Sequence, residues 1–482
     1  MPDTGVIISV LSVSTGIVLS VWIVLEKRRP TSTLAWILVL IALPWLGLLF
    51  YLVFGRRRLK RRAAIRTQSR AAVRAEIPLD ENTVHAHLSD QIVVSSFETQ
   101  NQLISLATRN AEAPVTVGNS VQILCNAEET YPELFAAIAA AKEFVHVEYY
   151  IVQPDSAGAR LRDLLQQKAE LGVSVRFLFD GVGSIGIDDT WLDPLLNAGA
   201  ECEVFLPLRL PRVPSRPRWN FRNHRKLVVV DGEVGFTGGL NIGEEYEGKT
   251  KRLGFWRDTH LKIVGPAVRS LERIFHEDWY YATNKLITGR EYFPAPGKAG
   301  DDLVQIIPSG PDREWESIHL QMFQAIATAR NRCFITTPYF VPDEAIRVAL
   351  VAAALRGVNV RLLVPSKSDL RLVLWAGRSY YGELLRAGVR IFEYQKGFLH
   401  AKTLVVDGNF ATVGSANMDI RSFRLNFELN AFVYSPRFSA QAEAIFEKDL
   451  EDATELTLEQ YVGSSLGYRL AAAYARLMSP LL

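Results

Sequence analysis

The sequence predicts an α/β protein: two duplicated mixed-sheet domains, packed pseudo-symmetrically and preceded by an N-terminal transmembrane helical hairpin. Three observations lead to this fold class. Apolar, strand-like segments alternate with helical segments from residue 116 onward. A short polar motif occurs twice at one fixed offset. Two stretches without a charged residue, 5–25 and 34–54, open the chain.

The two uncharged stretches predict the hairpin, which we assign with its basic flank to residues 1–62. Each stretch would be about 31 Å long as a helix, close to the ~30 Å of a bilayer core. The connection Glu26–Thr33 is short and polar and contains Pro30. A cleaved signal peptide is disfavoured, because no basic segment precedes the first stretch and a second stretch follows directly.

The basic residues around the hairpin predict its orientation. Six of them lie between Arg56 and Arg62, whereas the turn has only the three from Lys27 to Arg29. Because basic residues are enriched on the cytoplasmic side, the large C-terminal part is expected in the cytoplasm. The protein is therefore predicted to be multi-pass.

The remaining chain divides into a connector and two copies of one domain. Residues 63–115 are polar and rich in Ala, Arg and Glu, which predicts the connector. The copies are assigned to 116–290 and 291–482. The apolar end from Tyr468 to Leu482 predicts a membrane-surface helix, with ordinary packing against the second copy as the alternative.

Sequence similarity between the copies supports the duplication. Val121–Leu124 recurs as Val304–Ile307, and Phe144–Ile151 parallels Cys333–Val341. The offsets vary between these segments and then settle at 176 residues in the motif, which indicates loops of different length in one repeated fold. Alternating strands and helices favour a parallel or mixed sheet with helices on both faces.

Composition narrows the possible partners. The 54 basic and 52 acidic residues nearly balance, so the net charge does not indicate a nucleic-acid partner. The three cysteines, Cys125, Cys202 and Cys333, are far apart and have apolar neighbours. They predict buried thiols and neither a disulfide framework nor a zinc site.

The repeated motif carries the candidate site. In the first copy its residues are His224, Lys226, Asp231, Gly238, Gly239 and Asn241. In the second copy they are His400, Lys402, Asp407, Gly414, Ser415 and Asn417. A lone histidine is more often structural, and this interpretation is applied to His146, His260, His276 and His319. Duplication sets His224 and His400 apart.

Strand geometry predicts how each motif is arranged. His224 and Lys226 point to one face, because side chains two apart on a strand do so. Asp231 is roughly 23 Å farther along an extended strand, so it is expected at the hairpin corner. A two-residue turn at Gly232-Glu233 would place Asn241 opposite His224, and Asn417 would lie opposite His400 in the same way.

Two such sets facing each other would surround one phosphate. One imidazole could attack phosphorus while the other protonates the departing alcohol. Lysines and asparagines would hold the phosphate oxygens. Two ammonium groups supply the positive charge, so we expect neither a metal nor another cofactor. Acyl transfer by a Lys–His–Asp triad is the competing chemistry, but it lacks a Gly-x-Ser-x-Gly motif.

The paired motif resembles the phospholipase D superfamily. The hairpin, the segment Arg29–Trp36 and the ending Ala475–Leu482 resemble bacterial cardiolipin synthases. This resemblance implies phosphatidyl transfer between two phosphatidylglycerol molecules, which yields cardiolipin and glycerol through a phosphohistidine. It also implies a bacterial plasma (inner) membrane location and anionic phospholipids as partners. Nucleic acid is not an expected partner, and a homo-oligomer is left open.

The resemblance also implies site residues. The catalytic set comprises His224, Lys226, Asp231, His400, Lys402 and Asp407. Asn241, Asn417 and Ser415 are expected to bind substrate. Each imidazole is expected to be oriented by a downstream acid, for which the candidates are Asp258 and Glu428. Gly239 departs from the family's serine, so that side would lack a hydroxyl donor.

Several alternatives remain open at this point. Hydrolysis of the phospholipid, or exchange of its headgroup with another alcohol, would use the same site. A nuclease and a non-enzymatic membrane scaffold are less favoured. Glu148 is either a site residue or a buried structural carboxylate. The arginines preceding the first motif form either a solvated loop or a flap that binds anionic headgroups: Arg209, Arg212, Arg216, Arg218, Arg222 and Arg225.

Overall fold

The computed structural model describes residues 4–25, 30–54, 67–73, 75, 98–207, 220–250, 254–295 and 297–477. The chain divides into two compact units. One unit comprises Met1–Leu59 and Leu208–Asn220, and the other comprises Lys60–Pro207 and Phe221–Leu482. Apart from the segment Leu208–Asn220, both copies of the repeated domain therefore belong to the second unit.

The first unit contains three helices: α1 (Thr4–Leu25), α2 (Pro30–Ala42) and α3 (Pro44–Phe54). The second uncharged stretch is thus two helices, because Pro44 lacks the N–H that would continue α2. Trp36 and Tyr51 pack edge to face with ring centroids 5.4 Å apart. Among the described residues, no helix combines the length and the apolar character needed to cross a bilayer. The transmembrane hairpin is therefore not confirmed.

The second unit begins, in its described part, with a helical segment at 67–73 and with α4 (Glu98–Ala111). Leu103 and Ala107 of α4 are fully buried and belong to the hydrophobic core of the second copy. The end of the predicted connector is therefore part of the folded domain, whereas 76–97 lies outside the described residues.

The helices of the two copies follow in chain order. In the first copy they are α5 (Asn126–Ala140), α6 (Ser156–Glu170), α7 (Asp189–Asn197) and α8 (Ala267–Thr283). In the second copy they are α9 (Ser317–Thr328), α10 (Glu344–Leu355), α11 (Arg371–Ala387), α12 (Ile420–Arg424), α13 (Pro436–Glu451), α14 (Leu458–Val462) and α15 (Leu466–Leu477). A short 3₁₀ turn occupies Arg290–Tyr292.

The strands follow the same division. The first copy contains β1 (Val115–Cys125), β2 (Phe144–Tyr149), β3 (Ser174–Asp180), β4 (Glu201–Phe205), β5 (Lys226–Val230), β6 (Val234–Gly238), β7 (Phe255–Arg257) and β8 (Thr259–Val264). The second copy contains β9 (Asp302–Ser309), β10 (Arg332–Thr336), β11 (Phe340–Val341), β12 (Asn359–Pro365), β13 (Arg390–Tyr394), β14 (Gly397–Leu399), β15 (Thr403–Val406), β16 (Phe410–Gly414), β17 (Met418–Asp419), β18 (Glu428–Tyr434) and β19 (Ala453–Leu456).

One mixed sheet of fifteen strands runs through both copies, in the order β19-β13-β12-β10-β15-β16-β18-β9-β1-β8-β6-β5-β2-β3-β4. Apart from β19, the order from β13 to β9 is repeated in reverse from β1 to β4. The copies join where β1 and β9 pair antiparallel, with Val115 opposite Gln305. The mixed α/β fold is confirmed, and the strand order shows the repeat. Cys333 is buried, whereas Cys125 and Cys202 are partly exposed.

Candidate active site

The histidine of each motif lies on a segment that is hydrogen-bonded to the other copy. The backbone N–H of His224 donates to the carbonyl of Phe427 at 2.9 Å. The N–H of His400 donates to the carbonyl of Arg257 at 2.7 Å, beside the parallel pair formed by β14 and β7. These contacts bring both motifs to the junction between the copies.

Each imidazole is paired with a carboxylate that belongs to the other copy, an arrangement that we call the exchanged pairing. Nδ1 of His224 lies 2.9 Å from Oε2 of Glu428, which belongs to the second copy. Nδ1 of His400 lies 2.7 Å from Oδ2 of Asp258, which belongs to the first. With each Nδ1–H donating to a carboxylate, the Nε2 lone pair of each imidazole is left for chemistry. Both acids are fully buried.

The two lysines lie beside the imidazoles. Nζ of Lys226 donates to the carbonyl of His224 at 2.6 Å, and Nζ of Lys402 donates to that of His400 at 2.5 Å. Burial, together with the charge of Lys402, lowers the pKa of Lys226 to about 7. Burial also lowers the pKa of Lys402 to about 8, against the raising effect of Asp258 and Glu428. The two ammonium groups therefore affect one another across the copies.

The same environment sets the charge of the imidazoles and their acids. Burial lowers the pKa of both His224 and His400 to about 4, and the charges of Lys226 and Lys402 contribute to this effect. Burial raises the pKa of Asp258, but the nearby His400 and Lys402 hold it down at about 2. Neutral imidazoles therefore face ionised carboxylates, which suits a nucleophile that needs a free lone pair.

The motif aspartates lie at the hairpin corners and not beside the imidazoles. Asp231 accepts hydrogen bonds from three backbone N–H groups, those of Lys142, Glu143 and Phe144, each at 2.9 Å. Asp407 accepts from the three equivalent groups of the second copy, at 2.7 to 2.9 Å. The expected corner position is therefore found. Inclusion of Asp231 and Asp407 in the catalytic set has no support in these contacts.

The hairpin turns contain three residues, so the two-residue turns expected from the sequence are wrong. Val230 pairs with Val234, which leaves Asp231, Gly232 and Glu233 in the loop. Val406 pairs with Phe410 in the same way. Asp231 and Gly232 both have positive φ angles, 52° and 66°, which accommodate the extra residue. The register of each hairpin is shifted by one position, so the predicted pairing of Asn241 with His224 does not occur.

The predicted substrate-binding residues occupy different environments. Oδ1 of Asn241 accepts from the N–H of Ile151 at 3.3 Å. Oδ1 of Asn417 is buried without a hydrogen-bond partner among the described residues. The hydroxyl of Ser415 donates to Oε2 of Glu428 at 2.5 Å and so supports the acid that orients His224. Oδ1 of Asn417 could thus accept a hydrogen bond from a ligand, whereas the hydroxyl of Ser415 already donates to Glu428.

Gly239, where the family's pattern has serine, lies against Asp258. A Cβ atom at Gly239 would overlap the carboxylate of Asp258. The equivalent Ser415 donates a hydrogen bond to Glu428 instead. A glycine in the first copy therefore leaves room for the carboxylate that binds His400.

Two aromatic residues border the imidazoles and were not predicted. The ring of Tyr150 lies 4.9 Å from that of His224, and Nζ of Lys226 lies 5.3 Å from the centroid of the same tyrosine ring. The ring of Trp256 lies 5.1 Å from that of His400, and its Nε1 donates to Asp258 at 3.4 Å. The only sequence signal for these residues was their position. Tyr150 directly follows strand β2, and Trp256 lies two residues before the orienting acid Asp258.

The chain around His224 is held by a buried polar network. Nδ2 of Asn223 donates to Oε1 of Glu148 at 2.5 Å. The guanidinium of Arg225 is paired with Asp278 and also donates to the carbonyl of Glu428 at 3.1 Å. Burial, together with the neighbouring Asp278 carboxylate, raises the pKa of Glu148 well above its usual value. The environment of Glu148 thus favours its neutral form, and a hydrogen bond connects it to Asn223, the residue before His224.

The equivalent positions around His400 are small or apolar. Leu399 and Ala401 flank it and are buried, and Thr336 occupies the strand position that corresponds to Glu148. The two halves therefore differ in the immediate surroundings of their imidazoles, although their motifs match.

Only two of the six arginines that precede the first motif lie among the described residues. Arg222 and Arg225 are buried and paired with Asp180 and Asp278, so they are not part of an exposed flap. The arginines at 209, 212, 216 and 218 lie outside the described residues.

Three buried residues, His146, Glu272 and His276, form a second cluster of titratable side chains. Oε1 of Glu272 lies 2.6 Å from Nδ1 of His146 and 2.7 Å from Nε2 of His276. These three groups also have the residue types and spacing of a metal site. However, Nη1 of Arg176 lies 3.0 Å from Nε2 of His146, and its positive charge opposes a cation there. The cluster therefore fits the structural role predicted for both histidines.

The chain matches the models of two known protein families. The family model described as "Cardiolipin synthase, PLD-like domain" matches residues 134–279 and 322–450, and the model described as "Phospholipase_D-nuclease N-terminal" matches residues 16–56. A relative named cardiolipin synthase from Geobacillus sp. (strain WCH70) is 44% identical, with 95% of this chain and 90% of that protein covered. The chain belongs to the cardiolipin synthase family. It is therefore a phosphatidyltransferase, as the sequence predicts.

Other members of the cardiolipin synthase family match along nearly the whole chain. The protein of that name from Geobacillus kaustophilus (strain HTA426) is 44% identical, covering 98% of this chain and 93% of its own length. Cardiolipin synthase 2 from Bacillus anthracis is 42% identical, with 95% of this chain and 88% of that protein covered. The solved phosphatidylserine synthase of Haemophilus influenzae Rd KW20 shares the fold, with a TM-score of 0.58 at 15% identity, covering 79% of this chain and 99% of that one.

Proposed function

We propose that the protein joins two phosphatidylglycerol molecules into cardiolipin and glycerol, with the paired His-Lys sets around one phosphodiester. The observation that carries this proposal is the exchanged pairing of His224 with Glu428 and His400 with Asp258. It leaves two Nε2 atoms, each backed by a buried carboxylate, beside two mutually interacting ammonium groups. In such a site one imidazole can attack phosphorus while the other transfers a proton to the leaving alcohol.

In the first step, Nε2 of His224 attacks the phosphorus of the donor lipid. An N–P bond forms, the bond from phosphorus to the glycerol headgroup breaks, and the proton on Nε2 of His400 moves to the departing glycerol oxygen. Lys226 and Lys402 stabilise the negative charge that develops on the phosphate oxygens. The product of this step is a phosphatidyl group on His224 and free glycerol.

In the second step, a hydroxyl of the acceptor phosphatidylglycerol attacks the same phosphorus. His400, now neutral, takes the hydroxyl proton, the N–P bond breaks and cardiolipin leaves. One phosphodiester replaces another, so the exchange needs no nucleotide. We assign the attack to His224 because the buried network of Glu148, Asn223 and Arg225 holds its main chain, whereas the positions around His400 are small or apolar.

The protonation of His400 depends on the bound substrate in this proposal. The pKa of His400 is lowered to about 4 by burial and then by the charge of Lys402. An anionic diester between the lysines would offset their charge and raise that pKa. The imidazole is therefore expected to become a competent acid only when the lipid phosphate is in place.

The motif aspartates are assigned a structural role. Asp231 and Asp407 each accept from three consecutive backbone N–H groups at the hairpin corner, seven residues from the imidazole of their own copy. We propose that they hold the amino end of β2 and β10 against the hairpin. Asn417 is retained as a substrate-binding candidate, because its Oδ1 is buried and has no partner among the described residues.

We further propose that residues 5–25 and 34–54 form a membrane hairpin in the bacterial plasma membrane, with the catalytic unit on the cytoplasmic side. The support is the absence of charge in both stretches and the six basic residues that follow the second. Cysteine substitutions in the turn and after residue 56, tested with an impermeant thiol reagent, would separate the two orientations. Labelling of the second site from outside the cell would reverse the proposed topology.

One experiment tests the reaction itself. The full-length protein is placed in phosphatidylglycerol vesicles with a chelator, and the lipid products are identified by mass. Cardiolipin with an equal amount of glycerol is the expected result. Phosphatidic acid as the main product would assign hydrolysis, the nearest alternative, because the same site could admit water in place of the second lipid.

A further inference from the structure

The C-terminal helix α15 has two faces with different surroundings. On one face, Ala472 and Ala475 are buried, and the ring of Tyr468 lies 4.9 Å from that of Trp375 on α11. On the other face, three apolar side chains at helical spacing are largely exposed: Leu470 (61%), Tyr474 (70%) and Leu477 (75%). The first face explains how α15 packs, and the second face remains to be explained.

The start of α11 adds exposed apolar side chains to the same region. Leu370 and Leu372 are 51% and 43% exposed. Leu372 is three residues before Trp375 and so lies one helical turn away on the same face of α11. The contact between Tyr468 and Trp375 therefore places Leu372 within one helical turn of the start of α15. We call these residues, Leu370, Leu372, Leu470, Tyr474 and Leu477, the α11–α15 surface.

The charge of this region favours an anionic partner. The segments 367–372 and 466–477 contain four basic side chains and one acidic one. The basic residues, all exposed, are Lys367, Arg371, Arg469 and Arg476. The acidic residue, Asp369, accepts a hydrogen bond from the hydroxyl of Tyr339 at 2.8 Å. Exposed apolar side chains flanked by basic ones are typical of a helix lying on a bilayer surface.

The segment that begins α11 is connected to the strand that follows Asn417. Asp369 accepts from the hydroxyl of Tyr339, which directly precedes β11, and β11 pairs with β17, which directly follows Asn417. Burial lowers the pKa of Lys402, and the carboxylate of Asp369 is among the charges that oppose this effect. The negative charge one residue before Leu370 therefore acts on a lysine of the proposed phosphate site. The start of α11 is therefore one strand pair away from Asn417, the substrate-binding candidate.

We propose that the α11–α15 surface docks the catalytic unit on an anionic phospholipid bilayer, with the apolar side chains inserted among the lipids and the basic side chains at the headgroups. This rests on the proposed function, since it names the form in which the lipid substrate is met. The lipid substrate would then be met at the bilayer surface and would not have to leave the membrane.

The depth of Tyr474 can be measured without enzyme activity. The full-length protein, with Cys125 and Cys202 replaced by serine, carries a fluorescent label on Y474C and is reconstituted in vesicles containing brominated phosphatidylglycerol. We expect quenching at this position. A label on L171C is the matched control, because Leu171 is also 70% exposed. Leu171 precedes β3. The first residue of β3, Ser174, pairs with Phe144, whose N–H donates to Asp231 at the hairpin turn, so Leu171 lies at the end of the sheet away from His224.

An unquenched label on Y474C, at the level of L171C, would overturn the proposal. A label on Y474C that shifts to the blue without lipid, in proportion to protein concentration, would also overturn it and assign the surface to a second copy of the chain. Failure to form cardiolipin would contradict the proposed function but would leave the depth measurement interpretable.

Kinetics give a second readout. L470S/Y474S/L477S should raise the apparent KM for phosphatidylglycerol vesicles by about tenfold, because the apolar insertion is lost. Activity on a dissolved short-chain phosphatidylglycerol should be unchanged, since the catalytic residues are untouched. Equal losses on both substrates would mean that the substitutions damage the fold and would remove the kinetic support for docking.

Discussion

Oδ2 of Asp258, in the first copy, lies 2.7 Å from Nδ1 of His400, in the second copy. The reciprocal pair joins Glu428 of the second copy to His224 of the first at 2.9 Å. Each imidazole thus depends on an acid from the other half. The two acids therefore support different roles in the proposed reaction, nucleophilic attack by His224 and proton transfer by His400, and substitutions should separate these roles.

Asp258→Asn should impair proton transfer by His400, and Glu428→Gln should impair attack by His224. Loss of the orienting carboxylate is expected to lower kcat by about 10²- to 10⁴-fold in each variant. A phosphatidyl ester of p-nitrophenol, whose leaving group needs no proton, should restore much of the first step in D258N but not in E428Q. Equal rescue of both variants would contradict the division of roles.

The pH dependence of kcat/KM should report the two lysines. A lysine holds its charge below its pKa and loses it as the pH rises. Since the pKa values of Lys226 and Lys402 are lowered to about 7 and about 8, kcat/KM should fall as the pH rises through this range. The fall in kcat should come at higher pH, because bound anionic lipid raises both pKa values. A kcat/KM that stays constant from about pH 6 to about pH 9 would contradict the assignment.

Glu148 should act as a neutral hydrogen-bonding group that positions His224. Its Oε1 accepts from Asn223, and its raised pKa keeps it protonated beside Asp278. Glu148→Gln keeps an oxygen that accepts from Asn223 and should retain activity within about threefold, whereas Glu148→Ala should lose roughly 10- to 100-fold in kcat through a misplaced imidazole. The double variant E148A/N223A should be no worse than the poorer single variant.

Thr336→Val is the matched control for Glu148, because Thr336 occupies the corresponding strand position near His400. It should leave kcat close to the wild-type value. If the Glu148→Gln variant is as poor as the Glu148→Ala variant, then the charge of Glu148, and not its neutral form, is required.

Asp231→Ala should reduce stability far more than catalysis. The substitution leaves three backbone N–H groups without their carboxylate, at a cost of about 2 kcal/mol in the free energy of unfolding. Thermal unfolding should therefore shift downward while kcat at low temperature stays within about threefold. A loss of kcat comparable to that of His224→Ala, with unchanged stability, would return Asp231 to the catalytic set.

Removal of divalent metal should leave the reaction intact. The proposed steps use two ammonium groups, and the metal-type cluster at His146, Glu272 and His276 lies beside the guanidinium of Arg176. Protein dialysed against a chelator should make cardiolipin at the original rate. A loss of activity that a divalent ion restores would show that a cation takes part.

The sequence was informative where a pattern is local. The arrangement of each motif was predicted from strand geometry, and a strand, β5 or β15, follows each histidine. The 176-residue repeat predicted two equivalent motifs, and the strand order of the sheet repeats accordingly. The strand length also predicted that Asp231 lies at the hairpin corner.

Contacts between distant segments were beyond sequence reasoning. Glu428 and Asp258 were identified as acids, but their exchange between the copies depends on how two chain segments cross. The hairpin register was missed by one residue, because positive φ angles at Asp231 and Gly232 permit a longer loop. The buried role of Arg225 was missed for a similar reason: its partner, Asp278, lies 53 residues away.

The exchanged acids also bear on how such a protein can change over time. A lone half would contain an imidazole without its carboxylate, so separating the halves into independent genes would yield two inactive products unless they reassociated. A substitution that weakens Asp258 is felt by the opposite half, and only a compensating change there could correct it. Fusion of the halves has thus made their further divergence interdependent, residue by residue, at this junction.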